Sequence, residues 1–243
     1  MINFLTIKVL AFFDFFHKRK IINFFKSLNL KKIDIIFDVG GHKGETILFF
    51  LKNFKVNKII SFEASEINFK KLSKNSTKFQ KTFKETDIII ENLALGSENK
   101  IKKFKQFNES SSSTFSEINT NSSYFKKKFR FLNKNKNDKF FFENDISLTV
   151  LQNYIDKENI DYINILKIDT EGSEFEILKG LKEKIGIIDI IYFEHHYDNM
   201  VDKKYTFRDI HNHLNANNFK KLYKIKMPFR KTFEYIYRNK DKI

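Results

Sequence analysis

The sequence predicts an α/β domain organised on a mostly parallel sheet. Three observations carry that expectation. Short Ile-rich runs alternate with segments of helical periodicity. A glycine turn, Asp38-Val-Gly40-Gly41-His-Lys-Gly44, follows the first run and opens a helix-like segment. Carboxylates stand at the ends of the runs, at Asp38, Glu63, Asp169 and Glu194. Buried parallel strands read as near-continuous apolar runs, and β-α-β alternation implies right-handed crossovers.

The elements follow in order. Residues Ile2 to Leu30 read as helix. Phe4, Ile7, Leu10, Ala11 and Phe15 fall at helical spacing, and Ile21, Ile22, Phe24, Phe25 and Leu28 extend the apolar character. This N-terminal helical extension, 1–32, reads as a cap packing on the domain. A second reading is an interfacial helix with weak membrane-surface association, helped by Lys18, Arg19 and Lys20. The domain proper is expected over 33–243. Ile33 to Asp38 is the first strand, Glu45 to Leu51 a helix, and Asn57 to Glu63 the second strand. Glu66 to Lys74 is a helix and Thr86 to Asn92 the third strand. Leu95-Gly96-Ser97 reads as a turn, and Lys100 to Phe107 as an exposed strand. The Ser, Asn and Thr tract to Ser123 reads as a loop. Tyr124 to Leu132 and Lys139 to Glu143 are expected to be irregular or a hairpin. Together they suggest a substrate-facing insertion around 100–145. Leu148 to Ile155 reads as helix, Tyr162 to Ile168 as strand, and Gly172 to Lys184 as helix. Ile187 to Phe193 is the fifth strand, tipped by Glu194-His195-His196. Phe207 to Asn217 is a helix. Phe219 to Lys226 and Phe233 to Tyr237 read as a closing antiparallel hairpin.

Composition narrows the function classes. With 243 residues the chain suits one domain. The formal charge of +15 is spread through a chain rich in Lys, Asn, Ile and Phe. It reads as compositional drift, not as a basic face, and no nucleic-acid partner is expected. The absence of Cys excludes disulfides, thiolate metal sites and a Cys nucleophile. Ile7 to Phe16 is broken by Lys8 and Asp14 and is too short to span a bilayer. Met1 to Lys20 lacks the basic start and cleavage site of a signal peptide. A cytoplasmic protein is expected.

The glycine turn admits three occupants. A phosphate P-loop needs wider glycine spacing and a following Lys, where this chain has Glu45. A dinucleotide fingerprint would put its first glycine at Asp38, where a carboxylate faces a pyrophosphate unfavourably. S-adenosylmethionine carries no phosphate, and its ammonium and sulfonium suit an acidic strand tip. Gly40 allows close backbone approach and Gly44 lets the helix begin near the ligand. Glu63 follows Gly44 by 19 residues, close to the roughly 20-residue spacing of a ribose-binding carboxylate.

The run Phe37-Asp-Val-Gly-Gly-His-Lys-Gly44, then Ser61-Phe-Glu63, Leu93-Ala-Leu-Gly96 and Leu166-Lys-Ile-Asp-Thr-Glu-Gly-Ser-Glu174, resembles the FkbM family of S-adenosylmethionine-dependent methyltransferases. The resemblance covers roughly Ile33 to Glu194. It implies a Rossmann-like class I methyltransferase fold. That fold has a mostly parallel seven-stranded sheet, an antiparallel last strand and helices on both faces. It also implies O-methylation of a sugar, a glycan or a small natural product. Asp38, Gly40 and Gly44 would hold the methionine end of the cofactor, and Glu63 the ribose. Asn92 or Ala94 would lie beside the adenine, and Asp169 on the sulfonium side. Departures are Gly41-His42 for a common Ala-Asn, Gln152 for a common acidic residue, and Ala64-Ser65 for a common Pro.

Asp169 and Thr170 can also cap the next helix, with Glu171 and Glu174 favoured by its dipole. Asp169, Glu194 and His195 are the catalytic candidates, as bases near the reacting hydroxyl. Adjacent residues of a strand point opposite ways, so one of His195 and His196 is expected to face the site. Asp169, Glu194 and a His could instead hold a divalent cation. No fixed ligand spacing supports that, and no metal is assigned. His211 and His213 read as a solvated helix face, and the Ser110 to Ser113 run as loop. Two rivals are a non-catalytic protein retaining the fold in a glycan assembly and an NAD-linked oxidoreductase, the latter opposed by Asp38.

Overall fold

The computed structural model describes residues 4–30, 32–108, 112–132 and 140–243. Ile2, Lys139, and Ser110 and Ser111 of the serine run lie outside the described residues. The elements are α1 (Phe4–Ser27), β1 (Ile33–Val39), α2 (Glu45–Asn53), β2 (Val56–Phe62), α3 (Glu66–Thr82), β3 (Asp87–Glu91), β4 (Ala94–Gly96), β5 (Lys100–Phe107), β6 (Glu117–Ile118), α4 (Ser123–Leu132), β7 (Phe141–Val150), α5 (Leu151–Lys157), β8 (Ile163–Ile168), α6 (Glu174–Lys179), β9 (Ile188–His196), β10 (Val201–Asp202), α7 (Phe207–Ala216), β11 (Phe219–Lys226) and β12 (Thr232–Asn239).

The main sheet has seven strands in the order β11-β12-β9-β8-β1-β2-β3. Neighbours from β9 to β3 run parallel, whereas β12 runs antiparallel to both β9 and β11. The strands are apolar on both sides because helices cover both faces. One face packs on Leu151 and Ile155 of α5, Ile177 and Leu178 of α6, and Ile210 and Leu214 of α7. The other packs on Ile21 and Phe25 of α1, Ile47 and Phe50 of α2, and Leu72 of α3. Phe25 touches the rings of Phe50, Phe54 and Tyr192, so α1 is part of the domain core.

Four local expectations differ. Leu95-Gly96 is not a free turn. Ala94–Gly96 pairs in parallel with Leu148, Thr149 and Val150, joining a small sheet of order β4-β7-β5. The segment expected to begin a helix at Leu148 is therefore still strand, paired along β5, and α5 starts at Leu151. Tyr124 to Leu132 is helical, and the Ser122 hydroxyl accepts the Phe125 N–H at its start. The helix expected over Gly172 to Lys184 stops at Lys179 and passes into a 3-10 turn. A side chain at the following Gly180 would lie 2.1 Å from the Gly96 carbonyl. The close approach of β4 thus requires that glycine.

Candidate active site at the carboxyl ends of the parallel strands

A cleft of about 1220 Å³ opens across the carboxyl ends of the parallel strands, where open α/β sheets bind ligands. The glycine turn and Glu63 form one end of it. Lys167, Asp169, Glu194 and His196 line the middle. His17 of α1 and the β11–β12 connection, Met227 to Lys231, close the other side. Phe104, Phe115, Tyr124 and Lys127 of the insertion also line it.

Backbone geometry builds the first end. Gly40 sits at φ +92, and a Cβ there would meet the Asp169 carbonyl oxygen at 1.9 Å. The Gly40 and Gly41 amides both donate to the Phe62 carbonyl, at 2.9 and 3.0 Å. The turn is thereby fixed between the tips of β8 and β2. Gly44, at φ +93, serves packing: a Cβ would lie 2.8 Å from the Phe79 ring of α3. His42 adopts φ 47, a left-handed region that Asn and His tolerate better than most side chains. This conformation turns its amide onto Glu63 Oε2 at 2.7 Å, while the Ser65 amide donates to Oε1 at 2.8 Å. Burial raises the Glu63 pKa against those two bonds.

Asp38 lies beneath the turn, fully buried. Its Oδ2 accepts the Ser61 hydroxyl at 2.8 Å, and its Oδ1 has no partner in hydrogen-bonding geometry. Burial pushes its pKa up to about 6, opposed by Ser61 and Lys167.

Charge builds the other end. Lys167 is buried on β8, with Nζ 3.3 Å from Asp169 Oδ2, 3.8 Å from Glu194 Oε1 and 4.6 Å from the Tyr192 ring centroid. Burial opposes its charge, but Asp169, Glu194, Glu234 and Asp38 outweigh burial and raise its pKa. Asp169 and Glu194 share this cation and repel each other. Burial, then the Asp169 charge, raise the Glu194 pKa, whereas Lys167 and His196 outweigh burial and hold the Asp169 carboxyl below its usual range. The His196 ring faces Glu171 at 3.4 Å and Asp198 at 3.7 Å. Burial disfavours its charge, yet these acids push its pKa up to about 10.

His195 points to the opposite face, as alternation along β9 requires. It packs among Tyr197, Tyr205 and Phe207, and does not line the cleft. Burial, then Lys203 and His196, push its pKa down to about 3. His196, not His195, is the cleft histidine. Asn92 and Ala94 are also displaced from the expected role. The Asn92 amide donates to the Glu63 carbonyl at 2.8 Å, and Ala94 is buried beside Phe104 and Leu148, while Leu93 and Leu95 line the cleft. Glu174 is buried and staples its own loop, accepting from the Gly172 amide, the Thr170 hydroxyl and the Tyr205 hydroxyl. No group of three or more His, Asp or Glu side chains suited to hold a metal ion occurs among the described residues.

Two residues escaped the sequence reading. Buried Glu234 of β12 accepts the Tyr192 hydroxyl and bonds His17 Nε2. Both left a signal. His17 falls on the helical face of Ile21 and Phe25, and Glu234 alternates with Thr232 and Ile236 on the face opposite Phe233 and Tyr235.

This strand order, with an antiparallel strand inserted beside the edge and the cleft across the parallel tips, is the Rossmann-like fold of class I methyltransferases. The methyltransferase FkbM from Methylobacillus flagellatus KT shares it at a TM-score of 0.55 and 15% identity, over 85% of this chain and 44% of that one. Magnesium protoporphyrin IX methyltransferase from Synechocystis PCC 6803, solved with bound S-adenosylmethionine, aligns at a TM-score of 0.52 and 8% identity, over 98% of this chain and 85% of that one. The chain belongs to the FkbM methyltransferase family: the methyltransferase FkbM domain matches residues 38–221. It spans less than half the length of the Methylobacillus protein. The curated proteins give no match.

Proposed function

We propose that the protein is an S-adenosylmethionine-dependent O-methyltransferase whose acceptor is a hydroxyl on a sugar, a glycan or a small natural product. One observation carries the reading. The Glu63 carboxylate is fixed by two amides at the cleft edge, beside a glycine turn backed by buried Asp38. The residues present fit this cofactor. Glu63 and ionised Asp169 make the wall acidic, with Asp38 buried beneath it, which suits a sulfonium and an ammonium and opposes a pyrophosphate or a nucleic-acid backbone. The cleft of about 1220 Å³ exceeds the roughly 300–1,000 Å³ of a single small-molecule site, leaving room for an acceptor beside the cofactor.

When bound, S-adenosylmethionine supplies an electrophilic methyl group. Glu63 would hold the ribose hydroxyls, with Leu93 and Leu95 as the apolar wall. Asp169 would lie toward the acceptor. The chain's main contribution is to position the acceptor and exclude water. The acceptor also loses a proton, and the cleft restricts what can take it. The Glu194 pKa is raised by burial and Asp169, that of His196 is pushed up to about 10 by its acidic neighbours, and Asp169 is ion-paired to Lys167. His17 lines the cleft with its Nε2 bonded to Glu234, and we assign it as the proton acceptor on that placement.

Glycan and metabolite profiling of cells with and without the gene tests the reading. A species that lacks one methyl group without the gene is the expected result. Cofactor binding with no methylated product, in cells or across a panel of glycosides, would leave a binding protein that retains the fold.

A further inference from the structure

The solvent side of α1 and the β11–β12 connection form one exposed aromatic surface. Phe12 and Phe15 are each 58% exposed, Phe229 is 69% exposed, and Phe13 and Phe16 are also exposed. Their rings touch in sequence. Phe12 meets Phe16 at 4.7 Å and Phe13 at 5.7 Å, and Phe13 reaches across to Phe229 at 5.0 Å. On the helix, Phe12, Phe16 and Arg19 share the face opposite His17, Ile21 and Phe25, so core packing does not account for them. Phe229 is displayed at φ 61, a backbone region that an L-residue adopts only at a cost. The turn pushes this ring outward.

Exposed cations border the patch on both elements: Arg19 and Lys20 on α1, Arg230 and Lys231 on the turn. Both elements also shape the cleft, through Asp14, His17 and Lys18 on one side and Met227 and Phe229 on the other. No described helix is long and apolar enough to cross a membrane. Aromatic rings flanked by Lys and Arg are the chemistry of a surface that lies in the headgroup region of an anionic bilayer.

We propose that this face docks the protein on an anionic membrane surface, with the cleft rim against the lipid. The cations choose the occupant: a second copy of this basic chain would bring like charges together, whereas anionic headgroups neutralise them. The docking rests on the methyltransfer reading only in that the cleft it borders is the methylation site.

Flotation of the full chain with vesicles tests it. The chain should rise with equimolar phosphatidylcholine and phosphatidylglycerol and stay behind with phosphatidylcholine alone. Replacing Phe12, Phe15, Phe16 and Phe229 together by Ser exposes no core. It should weaken binding about tenfold or more. Arg19→Glu with Arg230→Glu should do likewise, and added salt should release the unmodified chain. A chain that ignores both vesicle types, or floats equally well after the Phe replacements, overturns the proposal. So does a dimer in light scattering that those replacements dissociate. Calorimetry with S-adenosylhomocysteine on the same preparation separates the two readings. Binding without flotation sinks the docking alone, and flotation without binding sinks the methyltransfer reading alone.

Discussion

The two ends of the cleft are built by different physics. The glycine-turn end is backbone geometry: amides of His42 and Ser65 hold Glu63, and Gly40 fits where a Cβ would strike the Asp169 carbonyl at 1.9 Å. Its parts lie close in the chain. The β8–β9–β12 end is a network of buried charge around Lys167, and it joins His17 to Glu234 across 217 residues. The first end can be disturbed by adding one carbon. The second fails when a single charge is left without its partner.

Removing the cation should show the largest effect. Lys167→Met leaves Asp169, Glu194 and Asp38 without their shared partner, and breaking a buried pair in this way costs about 3–5 kcal/mol. Urea denaturation should report that loss, and a change within experimental error would mean that Lys167 is not the hub. Substitution at the interface of α1 and β12 should act on turnover and leave cofactor affinity in place. His17→Gln should lower methyl transfer about 10²–10⁴-fold while S-adenosylhomocysteine binds as before. An unchanged rate would return the proton to another group.

The glycine end should respond through its backbone. Gly40→Ala forces a positive φ, at roughly 1–3 kcal/mol for the backbone strain alone, sets a Cβ against the Asp169 carbonyl, and should also abolish cofactor binding in calorimetry. Wild-type stability with normal binding would contradict the proposed close approach.

The smallest expected effects separate the two neighbouring histidines. His196 has a folded pKa of about 10, above its unfolded value. Its stabilisation is complete below the unfolded pKa and is lost as pH rises through 10. His195 has a folded pKa of about 3, so between that value and its unfolded pKa the unfolded chain binds more protons. Stability then falls as pH drops through this window. His195→Phe should flatten the acid side of the stability profile, and His196→Gln the alkaline side. Identical profiles for both variants would place the two rings in one environment.

The parallel core was legible because it is local. Ile33 to Asp38 and Tyr162 to Ile168 announce themselves as apolar runs, and Asp38, Gly40 and Glu63 are fixed by strand tips and spacing. The small sheet was not legible. Ala94–Gly96 is three residues long and becomes a strand only by pairing with Leu148 to Val150. Choosing between His195 and His196 required the strand's phase, which the pairing with β12 supplies. Glu234 resembled an ordinary strand charge until His17 and Tyr192 met it. α1 read as a cap packing on the domain, and Ile21 and Phe25 do pack on the sheet, whereas His17 on the same stripe gained its meaning only from Glu234.

The central claim is that Glu63 and the glycine turn hold an S-adenosyl cofactor. Isothermal calorimetry of S-adenosylhomocysteine against the full chain and Glu63→Ala tests it most directly. A single saturable site is expected in the unmodified chain. Loss of charged hydrogen bonds worth about 1.5–3 kcal/mol each should weaken binding by at least about tenfold in the variant, with its circular dichroism spectrum showing a folded chain. No heat of binding in the unmodified chain, or equal affinity in the variant, would contradict the account.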